Sequence, residues 1–400
     1  MTQRVFFYVQ HLLGIGHMRR AAAIARGLAQ AGAEVTFVSG GEPVPGLDLG
    51  GAELIQLPPA SAADASFSTI VDAAGRPIDD AWRDERRRQL LGHFAAARPD
   101  ILLIEMYPFG RRQFRFELLP LLEEATARAG QPGGRPLIAC SLRDILVDKG
   151  RADRRAETVA LIERYFDLVL VHGDPRLVTL ERTFPEASRF AGKLRYTGYV
   201  VEPGARQGRG GQGRDGQGQA DRSQGEILIS AGGGAVGAPL FTAAIAAKAL
   251  SRYRDRPWRI VTGRNLPPAT AAEIVRQAVE AGLTVETFRS DFPALLQACL
   301  VSVSQGGYNT VMELLAAQCP AVVVPFAEGS ESEQTLRSRL LQERGLLRVI
   351  DPARLQPADL AAAIDDTAGR GAGIAQELAA FDLDLDGAAG TARQLLEARR

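Results

Sequence analysis

The chain has 400 residues, 46% of them hydrophobic, and its 47 basic and 47 acidic side chains cancel in charge. This length exceeds what one hydrophobic core supports, so we expect two domains, and the lack of a basic run argues against nucleic acid as a partner. No apolar run is long enough for a membrane-spanning helix, and the first residues lack the basic start of a signal peptide. The three cysteines are widely spaced and lie in or beside apolar stretches, which indicates reduced core thiols in a cytoplasmic protein.

The N-terminal half, residues 1–203, alternates short apolar runs with helical patterns, which predicts parallel βαβ units. The predicted strands are Arg4–Gln10, Val35–Ser39, Ile101–Glu105, Leu137–Ser141, Leu168–His172 and Leu194–Thr197. The predicted helices are His17–Ala31, Ala81–Ala97, Phe116–Ala129 and Ala156–Tyr165. We therefore expect a doubly wound, Rossmann-like α/β domain.

Residues 204–226 are rich in glycine and glutamine and contain no apolar side chain larger than alanine, which predicts a flexible linker or surface loop. A second α/β series follows over residues 227–385. Its predicted strands are Ile227–Ser230, Arg259–Thr262, Val285–Phe288, Leu300–Ser304 and Ala321–Pro325. Its predicted helices are Ala238–Leu250, Thr270–Ala281, Phe292–Ala298, Tyr308–Ala317 and Glu331–Glu343. A last helix, Thr391–Ala398, lies in residues 386–400, for which we consider packing against the N-terminal domain.

A glycine-rich loop follows the first strand of the second series and leads directly into a helix. Backbone N–H groups and the helix N-terminus converge there, which predicts a phosphate cradle at Gly232, Gly233, Gly234 and Gly237. An NAD site would need a carboxylate at the end of the next strand, where Thr262 and Arg264 stand instead. The alternative is a tight turn that binds no ligand.

A second set of backbone amides opens the helix that follows strand Leu300–Ser304, at Gln305, Gly306, Gly307, Asn309 and Thr310. Glu313 lies in the early turns of that helix, where a carboxylate can accept hydrogen bonds from both ribose hydroxyls. Glu333 and Gln334 follow the next strand and suit sugar hydroxyls. Taken singly, Glu313 could equally be a surface residue that complements the helix dipole.

These motifs resemble the family 28 glycosyltransferases of the GT-B fold, which include a peptidoglycan N-acetylglucosaminyltransferase. The resemblance covers Ile227 to about Ile350, and over the whole chain from Gly14 onward the sequence is similar to a group of bacterial predicted glycosyltransferases. It implies two Rossmann-like doubly wound parallel-sheet domains facing across a cleft. It also implies that Phe288 and Arg289 belong to a base-binding turn, that Glu313 holds the ribose, and that Glu333 and Gln334 face the sugar.

The resemblance implies that the N-terminal domain binds the acceptor and supplies the base. His17 begins a helix beyond Gly14 and Gly16, where the positive helix end lowers its pKa, and it is the best general-base candidate. Glu105 ends a strand on the same edge and could orient His17, or could only pair with an arginine. Arg143 and Asp144 could bind the acceptor or each other. A packing or capping role is the alternative for His17.

We therefore expect an inverting, metal-independent glycosyltransferase that uses a nucleotide sugar, preferably of UDP, and needs no cofactor. The acceptor is a hydroxyl of a glycan, a lipid-linked molecule or a small molecule. An epimerase of the same fold and a non-catalytic nucleotide-sugar sensor remain alternatives. Peripheral contact with the inner membrane is also open, through arginines that alternate with aromatic residues and suit anionic headgroups, although we favour a solvated loop face. These residues are Phe109, Arg111, Arg112, Phe114, Arg115 and Phe116.

Overall fold

The computed structural model describes residues 2–12, 15–63, 69–129, 134–147, 151–202, 222–232, 236–326 and 333–399. The chain forms two compact units, one of Met1–Val200 with Asp384–Arg400 and one of Val201–Leu383. The first unit ends at residue 200 where the sequence suggested 203, and the chain returns to it at residue 384 where the sequence suggested 386.

The N-terminal unit contains a parallel sheet covered by helices on both faces. Its strands are β1 (Arg4–Val9), β2 (Glu34–Ser39), β3 (Glu53–Gln56), β4 (Ala60–Ala62), β5 (Ile70–Asp72), β6 (Ile101–Glu105), β7 (Leu137–Arg143), β8 (Leu168–His172) and β9 (Leu194–Tyr196). Its main helices are α1 (Gly16–Gln30), α2 (Asp80–Ala97), α3 (Arg115–Ala127), α4 (Ala152–Tyr165) and the C-terminal helix, Gly387–Ala398. The sheet order is β3-β2-β1-β6-β7-β8-β9, while β4 and β5 pair separately as antiparallel strands.

The apolar strands of this sheet supply two core layers. Phe6 and Tyr8 of β1 contribute to one layer, and Val5 and Phe7 contribute to the other, because successive side chains of a strand point to opposite faces. Helices on both faces explain why the central strands are almost continuously hydrophobic. The predicted doubly wound domain is confirmed in this unit.

The C-terminal helix packs closely against α1 and the end of the sheet. A Cβ atom on Gly390 would lie 2.0 Å from the carbonyl oxygen of Thr197, and one on Gly27 of α1 would lie 2.9 Å from the carbonyl oxygen of Ala388. Only glycine permits backbones to approach this closely. The last residues of the chain are therefore an integral part of the N-terminal unit.

A fully buried polar cluster lies beneath the carboxyl end of β1. Arg86 of α2 forms an ion pair with Glu117 of α3 at 2.8 Å and donates a hydrogen bond to Gln10 Oε1 at 2.5 Å. The Tyr8 hydroxyl donates to Glu117 at 2.5 Å, and Arg86 also donates to the Gly40 carbonyl at 2.8 Å. Because buried charges are costly unless they are paired, this cluster ties two helices to β1 and the loop after β2.

The C-terminal unit contains a second parallel sheet. Its strands are β10 (Ile227–Ser230), β11 (Trp258–Val261), β12 (Thr284–Glu286), β13 (Val301–Ser304), β14 (Ala321–Val323) and β15 (Arg348–Val349). Its helices are α5 (Ala238–Lys248), α6 (Pro268–Glu280), α7 (Phe292–Ala298), α8 (Tyr308–Ala316), α9 (Glu333–Gln342), α10 (Pro357–Gly369) and α11 (Gly371–Phe381). The sheet order is β12-β11-β10-β13-β14-β15, which is the doubly wound order of a Rossmann-like fold.

The end of the predicted linker is an ordered part of this unit. Residues Arg222–Gln224 form a short 3-10 turn, and the Arg222 guanidinium donates to the carbonyls of Leu296 at 2.8 Å and Ala317 at 2.7 Å. Glu226 forms an ion pair with Arg259 of β11 at 2.8 Å. The linker therefore ends before residue 222, and residues 203–221 lie outside the described part of the chain.

Candidate active site

Each sheet has one point where the strand order reverses, between β1 and β6 in the N-terminal unit and between β10 and β13 in the C-terminal unit. Connections leave such a point in opposite directions, which opens a crevice at the carboxyl ends of the strands where ligands of these folds bind. At the first point, His17 lies on the helix that follows β1, and Glu105 is the last residue of β6. The two predicted glycine-rich loops follow the strands at the second.

His17 and Glu105 contact each other directly. His17 is the second residue of α1 and its side chain is 22% exposed, whereas the Glu105 carboxylate at the end of β6 is fully buried. His17 Nδ1 lies 2.8 Å from Glu105 Oε1. A carboxylate only accepts hydrogen bonds, so Nδ1 carries the proton in this contact and Nε2 keeps a lone pair. Arg20 Nη2 also lies 3.1 Å from Nδ1, but it can only donate, and its shorter contact, 2.6 Å, is with the carboxylate.

Arginines complete this cluster. Arg20, one turn after His17 on α1, donates to Glu105 Oε1 at 2.6 Å, and Arg111 lies 3.7 Å from Glu105 Oε2. The sequence left two interpretations of Glu105 open, an orienting contact with His17 or an ion pair with an arginine. The carboxylate makes both contacts. Arg20 was not identified from the sequence, although its position three residues after His17 places both on one face of α1.

The buried position of His17 favours its neutral form. Burial lowers the pKa of His17 to about 4, and the positive charges of Arg111 and Arg20 act in the same direction against the opposing effect of Glu105. Burial alone would raise the pKa of Glu105, but His17, Arg20 and Arg111 together lower it to about 2. At neutral pH the pair therefore consists of a neutral imidazole and a carboxylate, the protonation states that a general base and its orienting group require.

The remaining predicted acceptor-side residues differ in their surroundings. Gly16 is the first residue of α1, and Gly14 lies outside the described residues. Asp144 is fully buried and accepts a hydrogen bond from the Tyr199 hydroxyl at 2.8 Å, so its carboxylate packs within the unit. Arg143 ends β7 and is half-buried. Asp144 is therefore held within the unit by Tyr199, and acceptor binding by Arg143 or Asp144 stays a prediction.

The aromatic residues of the segment considered for anionic headgroups pack against the core, while Arg112 and Arg115 stay exposed. Phe114 is fully buried, and the other aromatic residues of the segment pack against the same hydrophobic cluster. Arg112 and Arg115 both form ion pairs with Glu157 of α4. These ion pairs and core contacts favour the loop interpretation, and membrane contact through the segment stays a prediction. None of the helices in the described part of the chain combines the length and apolar character that a membrane crossing requires.

In the C-terminal unit, the glycine-rich loop after β10 lies beside the start of α8. Gly232 has a positive φ of 55°, and a Cβ on it would lie 3.5 Å from Thr310 Oγ1. Gln305 Nε2 donates to the Val236 carbonyl at 3.1 Å and so links the two loops. Gly237 precedes α5, and a Cβ there would lie 2.4 Å from the Ala231 side chain. Three residues of the loop lie outside the described residues, Gly233, Gly234 and Ala235.

The N-terminus of α8 is the second amide-rich element. Gly307 caps this helix without a side-chain hydrogen bond, and Asn309 lies in its first turn. Gly306 lies against α9, where a Cβ would approach Ser338 Oγ to 2.7 Å. Glu313 is half-buried one turn further along α8. Two helix N-termini, of α5 and α8, thus lie at one switch point, an arrangement that suits a diphosphate.

The predicted base-binding turn follows β12. Phe288 is 48% exposed, and the Arg264 guanidinium lies over its ring at 4.4 Å from the centroid. The Thr262 amide donates to a β12 carbonyl at 2.9 Å. Arg289 forms an ion pair with Asp291 at 2.6 Å. An exposed aromatic ring beside main-chain groups suits a nucleobase, whereas the Arg289 side chain already has an acidic partner.

The predicted sugar-binding residues begin α9. The Glu333 carboxylate is buried and pairs with Arg337 at 2.8 Å, and Arg337 in turn lies over the Tyr308 ring at 5.1 Å from its centroid. Gln334 Oε1 accepts a hydrogen bond from the Phe326 amide at 3.0 Å. The described geometry thus turns Glu333 toward the interior, while sugar contact by either residue stays a prediction.

Residues 228–380 match the model of the glycosyltransferase family 28 C-terminal domain. The C-terminal unit is thus similar to a family 28 C-terminal domain over most of its length. The match spans both glycine-rich loops, the turn after β12 and the start of α9, so the family resemblance found in the sequence is confirmed.

Curated relatives match over part of their length. The UDP-N-acetylglucosamine–N-acetylmuramyl-(pentapeptide) pyrophosphoryl-undecaprenol N-acetylglucosamine transferase of Chromohalobacter salexigens is 32% identical over 132 residues, 32% of this chain and 35% of that protein. The enzyme of the same name from Natranaerobius thermophilus is 28% identical over 93 residues, 22% of this chain and 25% of that protein. The chain thus spans about a quarter to a third of these two relatives.

Solved structures resemble this chain over nearly its whole length. The calicheamicin glycosyltransferase CalG4 has a TM-score of 0.62 at 16% identity and covers 100% of this chain and 98% of its own. MurG of Acinetobacter baumannii has a TM-score of 0.61 at 14% identity and covers 99% of both chains. The chain has the GT-B fold, as the sequence predicted.

Proposed function

We propose that this protein is a glycosyltransferase that moves a sugar from a nucleoside diphosphate, UDP by preference, to an acceptor hydroxyl. The observation that carries the proposal is the placement of complementary groups at the two switch points. A neutral histidine with an orienting carboxylate lies at one, and two helix N-termini with glycine-rich loops lie at the other. The glycosyltransferase names of the curated relatives and solved structures support the same activity.

The donor would be held by the C-terminal unit. The amides at Gly232–Gly237 and Gly306–Gly307, together with the N-termini of α5 and α8, would bind the diphosphate and stabilise its charge as it leaves. Phe288 would contact the base and Glu313 the ribose. We propose that these amides take the place of a metal ion, and the UDP in the names of the curated relatives supports the choice of nucleotide.

The chemical step would be a single displacement with inversion. The acceptor oxygen attacks the anomeric carbon while the bond from that carbon to the diphosphate oxygen breaks. The proton of the acceptor hydroxyl passes to His17 Nε2, and the Glu105 carboxylate stabilises the imidazolium that forms. The carboxylate also holds the ring in the tautomer that leaves Nε2 unprotonated.

The acceptor would be bound by the N-terminal unit, near His17. A lipid-linked acceptor is supported by the names of the curated relatives, and a small-molecule acceptor by the calicheamicin enzyme. We therefore propose a hydroxyl acceptor of either class, with peripheral membrane association if it is lipid-linked.

The test is product formation from UDP-sugars with a mixed panel of lipid-linked, glycan and small-molecule acceptors in the presence of EDTA. The proposal predicts UDP release that depends on the acceptor, with a matching gain in acceptor mass. A changed sugar without any acceptor would indicate an epimerase. Saturable nucleotide-sugar binding without product across the panel would indicate a sensor and contradict the proposal.

A further inference from the structure

Two of the three cysteines are neighbours in the C-terminal unit although 20 positions separate them in the sequence. Cys299 Sγ and Cys319 Sγ lie 3.3 Å apart, and both side chains are buried. Cys299 directly follows α7, and Cys319 lies just before β14. Ser302 of β13 is opposite Ala321 of β14 in the parallel pair, so both thiols lie at the amino ends of adjacent strands, at the sheet edge away from the glycine-rich loops.

We propose that Cys299 and Cys319 are an oxidation site, at which a peroxide converts the two thiols into an intramolecular disulfide. The sulfurs must approach by about 1.3 Å from 3.3 Å to reach the roughly 2.05 Å length of a disulfide bond. Cys140, the third cysteine, belongs to the N-terminal unit, where burial raises the pKa of its thiol well above the usual value. The hydrogen bond with Cys319, together with burial, also raises the pKa of the Cys299 thiol well above its usual value, so Cys319 is the thiol whose pKa is lowered.

Arg222 provides the electrostatic environment of a reactive thiol. Its guanidinium donates to the Cys299 carbonyl at 3.0 Å as well as to two neighbouring carbonyls. Burial raises the pKa of the Cys319 thiol, but the hydrogen bond from Cys299 and the positive charge of Arg222 outweigh burial and hold that pKa below its usual value. Cys319 is thus the better nucleophile, because the thiolate is the reactive form.

The chemistry balances with one peroxide. The Cys319 thiolate attacks a peroxide oxygen, the O–O bond breaks, and a sulfenic acid and hydroxide form. The Cys299 sulfur then attacks the sulfenyl sulfur, and the S–O bond breaks. The hydroxide that leaves takes the proton of the Cys299 thiol and forms water. Overall, two thiols and one hydrogen peroxide give one disulfide and two water molecules.

The disulfide would enclose the main donor-binding element of the C-terminal unit. The closed loop contains β13, residues 305–307 and α8. A cross-link of about this size restricts the unfolded chain and raises the melting temperature of the C-terminal unit by roughly 5–10 °C. Oxidation would therefore be visible as a change in stability without any assay of sugar transfer.

The experiment treats the full-length reduced protein with hydrogen peroxide, then counts thiols after unfolding and maps peptides by mass spectrometry. We expect the three thiols of the reduced chain to fall to one, a linked peptide that joins Cys299 to Cys319, and restoration by dithiothreitol. The matched control Cys140→Ser should form the same linked peptide. Cys299→Ser and Cys319→Ser should form none and should show no rise in melting temperature.

The proposal is overturned if the folded wild-type protein keeps all its thiols after prolonged exposure. It is also overturned if oxidation gives only separate sulfinic or sulfonic acids, or if the linked peptide contains Cys140. None of these outcomes depends on whether the protein transfers a sugar.

Discussion

His17 Nδ1 and Glu105 Oε1 lie 2.8 Å apart and join the first turn of α1 to the end of β6 across the switch point of the N-terminal sheet. This contact fixes the tautomer of the imidazole and supplies a negative charge beside it. Arg20 holds the same carboxylate oxygen at 2.6 Å, so Glu105 stays ionised while His17 stays neutral. The Glu105 carboxylate thus contacts both the proposed base, His17, and Arg20, and it orients the base.

Replacing His17 by alanine should remove the base without affecting the donor. We expect kcat to fall by about a hundredfold or more, because a positioned general base contributes at least that factor. UDP affinity, measured by calorimetry, should stay within about twofold of wild type, since the proposed donor-binding groups belong to the other unit. His93→Ala, on α2, is the matched control. Unchanged turnover in His17→Ala would contradict the assignment.

Arg20→Met should move the acid limb of kcat/KM to higher pH. Burial holds the pKa of His17 at about 4, and the positive charges of Arg111 and Arg20 contribute to the lowering. Removing one nearby positive charge favours the protonated imidazole, so the pKa rises and the base is lost at a higher pH. The pH–rate profile measures the shift, with exposed Arg19→Met as control. An acid limb that moves to lower pH, or does not move, would rule out this electrostatic account.

Arg86→Met should destabilise the N-terminal unit by about 3–5 kcal/mol, because it leaves the buried Glu117 carboxylate without its ionic partner. Urea unfolding measures the loss. Arg88→Met breaks a comparable contact with Glu85 at the surface and should cost at most about 1 kcal/mol. Equal effects of the two substitutions would show that burial of the first pair has no energetic importance.

Gly390→Ala should weaken the packing of the C-terminal helix by about 1–3 kcal/mol, because the added Cβ would lie 2.0 Å from the Thr197 carbonyl oxygen. Gly373→Ala, in α11, meets no atom within 4 Å and should be neutral or stabilising by up to about 1 kcal/mol. Thermal unfolding compares the two variants. Greater stability in Gly390→Ala would contradict the close approach.

The sequence predicted most of both sheets, because strands buried on both faces are continuous apolar runs that end at glycines or polar residues. It did not indicate β3, since Glu53–Gln56 is a short edge strand whose residues are largely exposed. It also did not indicate α10, although Pro357 at the helix start and the spacing of Leu360 and Ile364 are typical helix signals.

For the candidate site, the sequence could indicate where a residue lies in the fold, but not which distant residues its side chain contacts. His17 and Glu105 could be identified because each lies where a strand or loop meets the carboxyl edge of a sheet. The 3.3 Å approach of Cys299 to Cys319 and the internal pairing of Glu333 with Arg337 depend on packing between elements and on side-chain direction. The spacing of residues along the chain indicates neither how elements pack together nor the direction of a side chain.

The most direct test of the central claim is calorimetric titration with UDP, TDP, GDP and NAD in EDTA, on the wild-type protein and on Glu313→Ala. We predict selective UDP binding that survives chelation and weakens about tenfold or more in the variant, because a ribose contact through a carboxylate is worth roughly 1.5–3 kcal/mol. Binding of NAD in place of UDP, or no nucleotide binding with or without added metal, would contradict the assignment of a nucleotide-sugar site.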